Sequence, residues 1–336
     1  GNVGTIKAVI NSADILEKYS KNSIQTKIID AVGEWKIYEK KSRYKSLSKI
    51  KFYNYLPKGG FLNSRLTYLI IFFFSFVPLL NLIKREKPDF LIIQLITSLP
   101  LFLNLLFNFK TKFILRISGY PKMNFLRIFF WKVASKKLYK ITFPTKSLYD
   151  QFKKLRIFDE KKMYVLNDPI ISYNEVAKLK NRNDVPKYLL NHKCIVCIGR
   201  LTRQKNFSFL INNFAIIKKK YKDLKLVIIG EGELKNKLNS QIKKFSLEDD
   251  VILVGHQQNI YKFLKNAEVF ILSSIWEEVG FVMVEAASCN VNIISSDCKN
   301  GPKEFLLDGR AGFLFENNNS ESFKKTFDKY MNSSKE

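Results

Sequence analysis

Apolar residues recur along this chain in two alternating rhythms. From Thr5 to Ser20, Ile6, Val9, Ile10, Ala13 and the Ile15-Leu16 pair fall at helical spacing, which predicts an amphipathic helix. Short apolar runs then read as strands at Gln25–Asp30, Pro88–Gln94, Lys112–Arg116 and Lys140–Pro144. The run after Pro88 is apolar throughout, the pattern of a buried parallel strand. The second half repeats the plan, with strands predicted at Cys194–Ile198, Lys225–Ile229, Val251–Val254, Val269–Leu272, Val291–Ile294 and Phe313–Phe315. Helical stretches separate them at Phe207–Tyr221, Glu233–Phe245, Ile260–Asn266 and Phe281–Ser288. Such alternation builds βαβ units on parallel sheets. The expected fold is therefore α/β, with two tandem Rossmann-like, doubly wound domains whose strand ends face a central cleft. The expected boundaries are 1–168, a polar and Pro-punctuated connection at 169–191, and 192–336.

The segment Leu66–Ile83 breaks this rhythm with eighteen uncharged residues, including Leu69-Ile-Ile-Phe-Phe-Phe74. At ~1.5 Å per residue it is at the lower limit for a membrane span. A single crossing would separate strands that belong to one sheet. The favoured reading is a helix packed on the first domain with one face in lipid; a fully buried helix and a true span are the alternatives. Both flanks are basic, with Lys58, Arg65, Lys84, Arg85 and Lys87, so charge assigns no orientation.

Charge sharpens the contrast between the halves. The chain carries +27 overall, and residues 1–190 hold 35 Lys and Arg against 13 Asp and Glu, a net +22. The remainder is +5. An anionic partner for the first half is implied, either a membrane surface or nucleic acid; a merely solvated basic surface is the alternative. Aromatics among the cations, at Tyr53–Tyr55 and Phe125–Trp131, suit a lipid interface, and no nucleic-acid recognition module is present. Four cysteines in 336 residues make no disulfide scaffold and fit a reducing cytoplasm. No signal peptide is visible in the first twenty residues.

Two stretches carry candidate chemistry. Gly199-Arg-Leu-Thr-Arg-Gln-Lys-Asn206 follows a predicted strand and precedes a helix. Gly199 permits a sharp exit, and Arg200 and Lys205 can converge at a helix start, which already favours anions. That is a diphosphate site, unless one or both cations are surface charges. Glu277-Glu-Val-Gly-Phe-Val-Met-Val-Glu285 brackets a loop-to-helix turn at Gly280. The amides of Val279, Gly280 and Phe281 can meet phosphate or sugar hydroxyls, and a carboxylate suits a vicinal diol. Glu278 reads as a helix-start charge, and Glu277 has the same alternative.

Here the sequence resembles the GT4 family of retaining glycosyltransferases, most closely from Ile195 to Phe315. Gly199-Arg200…Lys205 is similar to that family's diphosphate loop, Glu277…Glu285 to its paired-glutamate motif, and Ser295–Glu304 to the segment that follows. Gly1–Gly4 resembles, more weakly, the glycine loop that faces the diphosphate, so Gly4 joins the candidates. The strand expected before it is missing, and the chain reads as incomplete at its amino end. The resemblance implies a GT-B fold, a nucleotide-sugar donor (UDP the expected nucleotide) in the second domain and an acceptor on the first. By it, Arg200 and Lys205 bind the diphosphate and Glu285 the ribose. Glu277 and the 279–281 amides face the donor sugar. A lipid-linked or polysaccharide acceptor, peripheral attachment to the cytoplasmic face of the plasma membrane and hexosyl transfer complete the expectation.

No Asp-x-Asp triplet occurs, so no essential metal and no separate cofactor are expected. Asn290 stands where the family usually has a glycine. The only histidines, His192 and His256, lie outside the first domain; Arg116 and Ser118, at a strand end there, are weak candidates for its catalytic partner. Cys194-x-x-Cys197 has zinc-like spacing, but in a strand its two side chains point to opposite faces. His256 reads as near the nucleotide base or as structural, and Gly230-Glu-Gly232 as an ordinary turn. Two other functions compete: a nucleotide-sugar epimerase on the same fold, and a basic nucleic-acid-binding protein.

Overall fold

The computed structural model describes residues 4–31, 44–46, 61–181 and 184–333. The aromatic pair expected at Tyr53 and Tyr55 lies outside these residues, as do Gly1–Val3. The chain divides into two compact units, Gly1–Pro169 and Ile170–Glu336.

The first unit opens with α1 (Gly4–Tyr19), which buries Ile6, Ile10 and Ala13 against Ile28 of β1 (Ile28–Asp30). β1 pairs in parallel with β2 (Tyr44–Ser46). After α2 (Phe61–Glu86) come β3 (Phe90–Ile93), α3 (Ser98–Leu106), β4 (Lys112–Arg116), α4 (Phe125–Ser135), β5 (Lys140–Phe143), α5 (Lys146–Leu155) and β6 (Met163–Val165). Strands β3 to β6 form one parallel sheet in chain order. Asn124 and Thr145 start α4 and α5 by accepting from the amides of Arg127 (2.9 Å) and Leu148 (3.2 Å). The core joins Phe113 and Leu115 of β4 and Ile141 and Phe143 of β5 to Leu101, Leu103, Trp131 and Phe152. Trp131, Phe152 and Phe158 stack within it, with centroids 5.6–5.9 Å apart. β3 departs from the buried-strand expectation. It pairs on one side only among the described strands, and Phe90 and Ile92 stay about half exposed.

Helix α2 covers the whole Leu66–Ile83 segment and continues through Pro78. Ile71, Ser75, Leu79 and Ile83, four apart, form its buried row. Leu69, Phe73 and Val77 form an apolar row that stays more than half exposed, flanked by Tyr68 and Phe74. The helix is long and apolar enough to cross a membrane, and 28% of its most apolar window is buried. It is not a fully buried helix. On α4, Phe125, Leu126 and Phe129 are likewise exposed.

The second unit begins with α6 (Tyr173–Lys180) and α7 (Lys187–Asn191), followed by β7 (Lys193–Ile198), α8 (Phe207–Lys220), β8 (Leu224–Ile229), α9 (Lys235–Lys244), β9 (Val251–Gly255), α10 (Tyr261–Lys265), β10 (Val269–Leu272), α11 (Phe281–Ala287), β11 (Ile293–Ser296), α12 (Gly301–Phe305), β12 (Phe313–Phe315) and α13 (Ser320–Ser333). Residues 169–191, expected as a polar connection, carry two helices. Val176 and Leu189 lie in the core of this unit, and Asn259 donates to the Leu179 carbonyl (2.9 Å). The six strands are all parallel, in the order β12-β11-β10-β7-β8-β9. Helices cover both faces. Cys197 faces α8 and α13, while Cys194 faces α7 and α10, so no shared ion is possible. α13 closes the first of these faces with Phe323, Phe327, Tyr330 and Met331. β11 starts two residues later than predicted. Asn290 adopts the left-handed conformation (φ 59°) that a glycine would supply, and the turn it makes delays the strand.

Candidate active site

In an order of β12-β11-β10-β7-β8-β9 the winding reverses between β7 and β10. Ligands of doubly wound sheets bind in the crevice at the carboxyl ends of such a pair. The two stretches singled out above leave the sheet at these two strand ends: Gly199 follows β7, and Ser273 to Glu277 follow β10.

The first loop is held from below by β8. Gly199 N donates to the Ile229 carbonyl (3.0 Å) and Leu201 N to that of Glu231 (2.9 Å). This corrects the reading of Gly230-Glu-Gly232 as an ordinary turn. A Cβ on Gly230, at φ 145°, would lie 1.9 Å from the Gly199 oxygen, and one on Gly232 2.5 Å from that of Leu201. Both glycines are required by the approach of the loop above them. Gly199 is bare for a related reason: the stem of Lys205 crosses it, and a Cβ there would meet three Lys205 carbons at 3.0 Å. A 3-10 turn, Arg203–Lys205, leads to Asn206, which is left-handed (φ 54°) and starts α8.

Lys205 Nζ is folded back onto Glu277 Oε1 in an ion pair whose side chains are 14% and 7% exposed. Ser274 Oγ donates to the same carboxylate oxygen (2.6 Å), and Ser273 Oγ to the Lys205 carbonyl (2.8 Å). Ser296 Oγ, from the end of β11, donates to the Ser274 carbonyl (2.6 Å). These serines are buried, and sequence reasoning missed them. Their signal was the Ser273-Ser274 and Ser295-Ser296 doublets that follow apolar strand runs. A buried cation–carboxylate pair persists only with such added hydrogen bonds, because desolvation opposes it.

Arg200 stays exposed and makes no ion pair with a described residue. Of the two candidate cations, Lys205 is therefore committed to a carboxylate and Arg200 is not. Gly280 adopts φ 71° to start α11, and a Cβ there would meet Met283 Cε at 2.6 Å. Gly301 at the head of α12 lets that helix press on Val279, whose oxygen would be 2.3 Å from an added Cβ. Phe281 is the first residue of α11. Glu285 sits on the same helix and is buried, as Glu277 is. Burial, and secondarily the charge of Glu285, raise the pKa of the Tyr261 phenol beside it.

The remaining candidates are carried by other elements. Gly4 is the first residue of α1 in the first unit. Arg116 is buried at the end of β4 and paired with Asp168, with side chains 4% and 7% exposed. Its Nη1 is buried with no hydrogen-bond partner among the described residues. Desolvation lowers the guanidinium pKa and raises that of Asp168; their mutual attraction opposes both shifts. Ser118 is half-buried, and His256 is exposed just after β9.

Residues 180–336 match the model of glycosyl transferases group 1. The chain is 34% identical over 244 residues to an uncharacterized glycosyltransferase of Methanocaldococcus jannaschii, a match covering 68% of this chain and 60% of that protein. It is 30% identical over 221 residues to the N-acetylgalactosamine-N,N'-diacetylbacillosaminyl-diphospho-undecaprenol 4-alpha-N-acetylgalactosaminyltransferase of Campylobacter jejuni, covering 65% of this chain and 60% of that one. The chain thus spans about 60% of the length of these curated relatives. A crystal structure of a glycosyltransferase from Rickettsia africae superposes with a TM-score of 0.72 at 17% identity, over 98% of this chain and 85% of the other. Residues 180–336, nearly all of the second unit, thus match the glycosyl transferases group 1, and the fold of the chain is GT-B.

Proposed function

We propose that this chain is a retaining glycosyltransferase that moves a hexosyl group from a nucleotide-diphosphate donor, with UDP as the nucleotide, to a lipid-linked or polysaccharide acceptor in surface glycan assembly. The observation that carries the proposal is the convergence of Lys205 and Glu277, 72 residues apart in sequence, at the switch point of the second sheet. Breaking a sugar–phosphate bond builds negative charge on the departing diphosphate. A fixed cation aimed there stabilises the transition state more than the ground state. Lys205 is held rigidly by its pairing, and Arg200 adds the net positive charge that a diphosphate needs. Glu277 presents a carboxylate for donor-sugar hydroxyls, with the 279–281 amides alongside, and Glu285 takes the ribose. Arg and Lys do here what a divalent metal does elsewhere, so the reaction requires no metal and no separate cofactor.

A membrane-surface setting is supported by the first unit. Its α2 and α4 expose Leu69, Phe73, Val77, Phe125 and Phe129 in a half of net charge +22. The Campylobacter jejuni relative is named for a diphospho-undecaprenol substrate. The test is transfer from radiolabelled nucleotide sugars to a membrane lipid extract, with and without excess EDTA. Turnover in EDTA that Arg200→Ala nearly abolishes is expected. No transfer from any UDP-, GDP- or ADP-sugar, or transfer wholly dependent on added metal, would refute the proposal in its corresponding part.

A further inference from the structure

The loop carrying Lys205 and the loop carrying Glu277 are tied together at the residue preceding each. Gln204 accepts from Ile275 N through its backbone carbonyl (2.8 Å), and its side-chain Nε2 donates to the Trp276 carbonyl (3.0 Å). Trp276 bridges Lys299 on its other side, and Glu277 N donates to the Lys299 carbonyl (3.4 Å). The Ile275 carbonyl is taken by Asn317 Nδ2 (2.7 Å). Main-chain polar groups of residues 275–277 thus find partners on three separate segments, and among the described residues the Gln204 side chain is the one from the first loop that bonds this main chain.

We propose that Gln204 is a positioning residue: by holding the Trp276 carbonyl, it fixes the carboxylate of Glu277 in register with Lys205, coupling diphosphate binding to placement of the donor sugar. This rests on the transferase reading given above. Without that side-chain bond the loops stay joined by Ile275 N to the Gln204 carbonyl and by Ser273 to the Lys205 carbonyl, but the Trp276–Glu277 peptide itself loses its hold on the first loop, and a shift of ~1 Å at a reacting centre is enough to cost a large factor in rate. The tie acts on the sugar side. The loop from Gly199 to Leu201 is held independently by β8 through Ile229 and Glu231. Nucleoside diphosphate binding should therefore survive loss of the Gln204 side-chain bond, while turnover should not.

The test is Gln204→Met, a neutral side chain of similar length without a donor. One lost hydrogen bond at this exposed contact corresponds to an effect of up to about tenfold. The expected result is a kcat reduced by up to about tenfold, with the Kd for UDP within about twofold of wild type. Amide hydrogen exchange, read without any substrate, should speed up in the peptide spanning 272–281 and stay unchanged in 193–198. Unchanged exchange at 272–281 overturns the inference whatever the enzyme's substrate. A UDP affinity falling in parallel with kcat also overturns it, since that marks a general loosening of both loops. If wild-type protein neither binds UDP nor turns over a nucleotide sugar while the exchange effect appears, the transferase reading fails and the structural tie stands.

Discussion

Lys205 and Glu277 neutralise each other, so replacing either must move nucleotide affinity in opposite directions. Glu277→Gln keeps the shape and the acceptor oxygen for Ser274 but removes one negative charge from beside the proposed diphosphate site. Two unit charges ~4 Å apart interact by about 4 kcal/mol at an effective dielectric of 20 and by about 1 kcal/mol in water. With the pair's side chains 14% and 7% exposed, the appropriate figure lies toward the middle of that interval. Glu277→Gln should therefore tighten UDP binding by about 2–3 kcal/mol, roughly 30- to 150-fold. Lys205→Met leaves a buried carboxylate facing the diphosphate and should weaken binding by at least as much. Transfer should fall in both variants, because the first loses its contact to the sugar and the second its contact to the leaving group. Titration calorimetry with UDP and the radiolabelled transfer assay read the two quantities separately. If both variants weaken UDP binding, or if both leave it unchanged, the diphosphate does not sit beside this pair and the charge argument fails.

Gly230→Ala should destabilise the second unit by about 2–4 kcal/mol, since a methyl 1.9 Å from the Gly199 oxygen forces the loop to move; a melting temperature equal to wild type would contradict this. Arg116→Met should leave Asp168 buried without its cation and cost about 3–5 kcal/mol near neutral pH. The Asp168 pKa is already raised by burial and should rise further in that variant. The folded state then binds a proton more readily than the unfolded one, so the variant's deficit should shrink as pH falls from 7 toward the ordinary carboxylate range. Thermal melts that show the deficit growing on acidification would refute it. Replacing Phe73, Phe125 and Phe129 together by Ser should leave melting unchanged or raised and reduce sedimentation with anionic liposomes; equal sedimentation would remove α2 and α4 from any lipid contact.

Much of the second unit could be read directly from its sequence. Strands such as Val269–Leu272 are apolar on both faces, end abruptly and have helices of clear periodicity between them. Lys205 and Glu277 stand out in the sequence as candidates by type and setting. Their mutual ion pair does not, because it is a contact between the ends of β7 and β10, and strand order is a global property. The role of Gly230 and Gly232 was hidden for the same reason: the crowding atoms belong to residues 199–201. α6 and α7 leave little trace in the sequence because Val176 and Leu189 are isolated apolar residues in polar surroundings, and their burial depends on α10 and the sheet. The exposed face of β3 shows the converse. Phe90 and Ile92 look like core residues in a run of apolar letters, and only pairing decides whether a strand is central or at an edge.

The distribution of thiols has a practical consequence. Cys194, Cys197, Cys289 and Cys298 are all free, all buried and all in the second unit, and the 336-residue sequence has four cysteines in total. Burial raises their pKa values, those of Cys194 and Cys298 to about 11, which keeps them protonated and slow to react at neutral pH. Covalent labelling by a thiol reagent would thus clock the opening of residues 170–336 alone, without contribution from the rest of the chain. A bound nucleotide would register as a slower labelling rate, giving a screen for the donor that needs no acceptor.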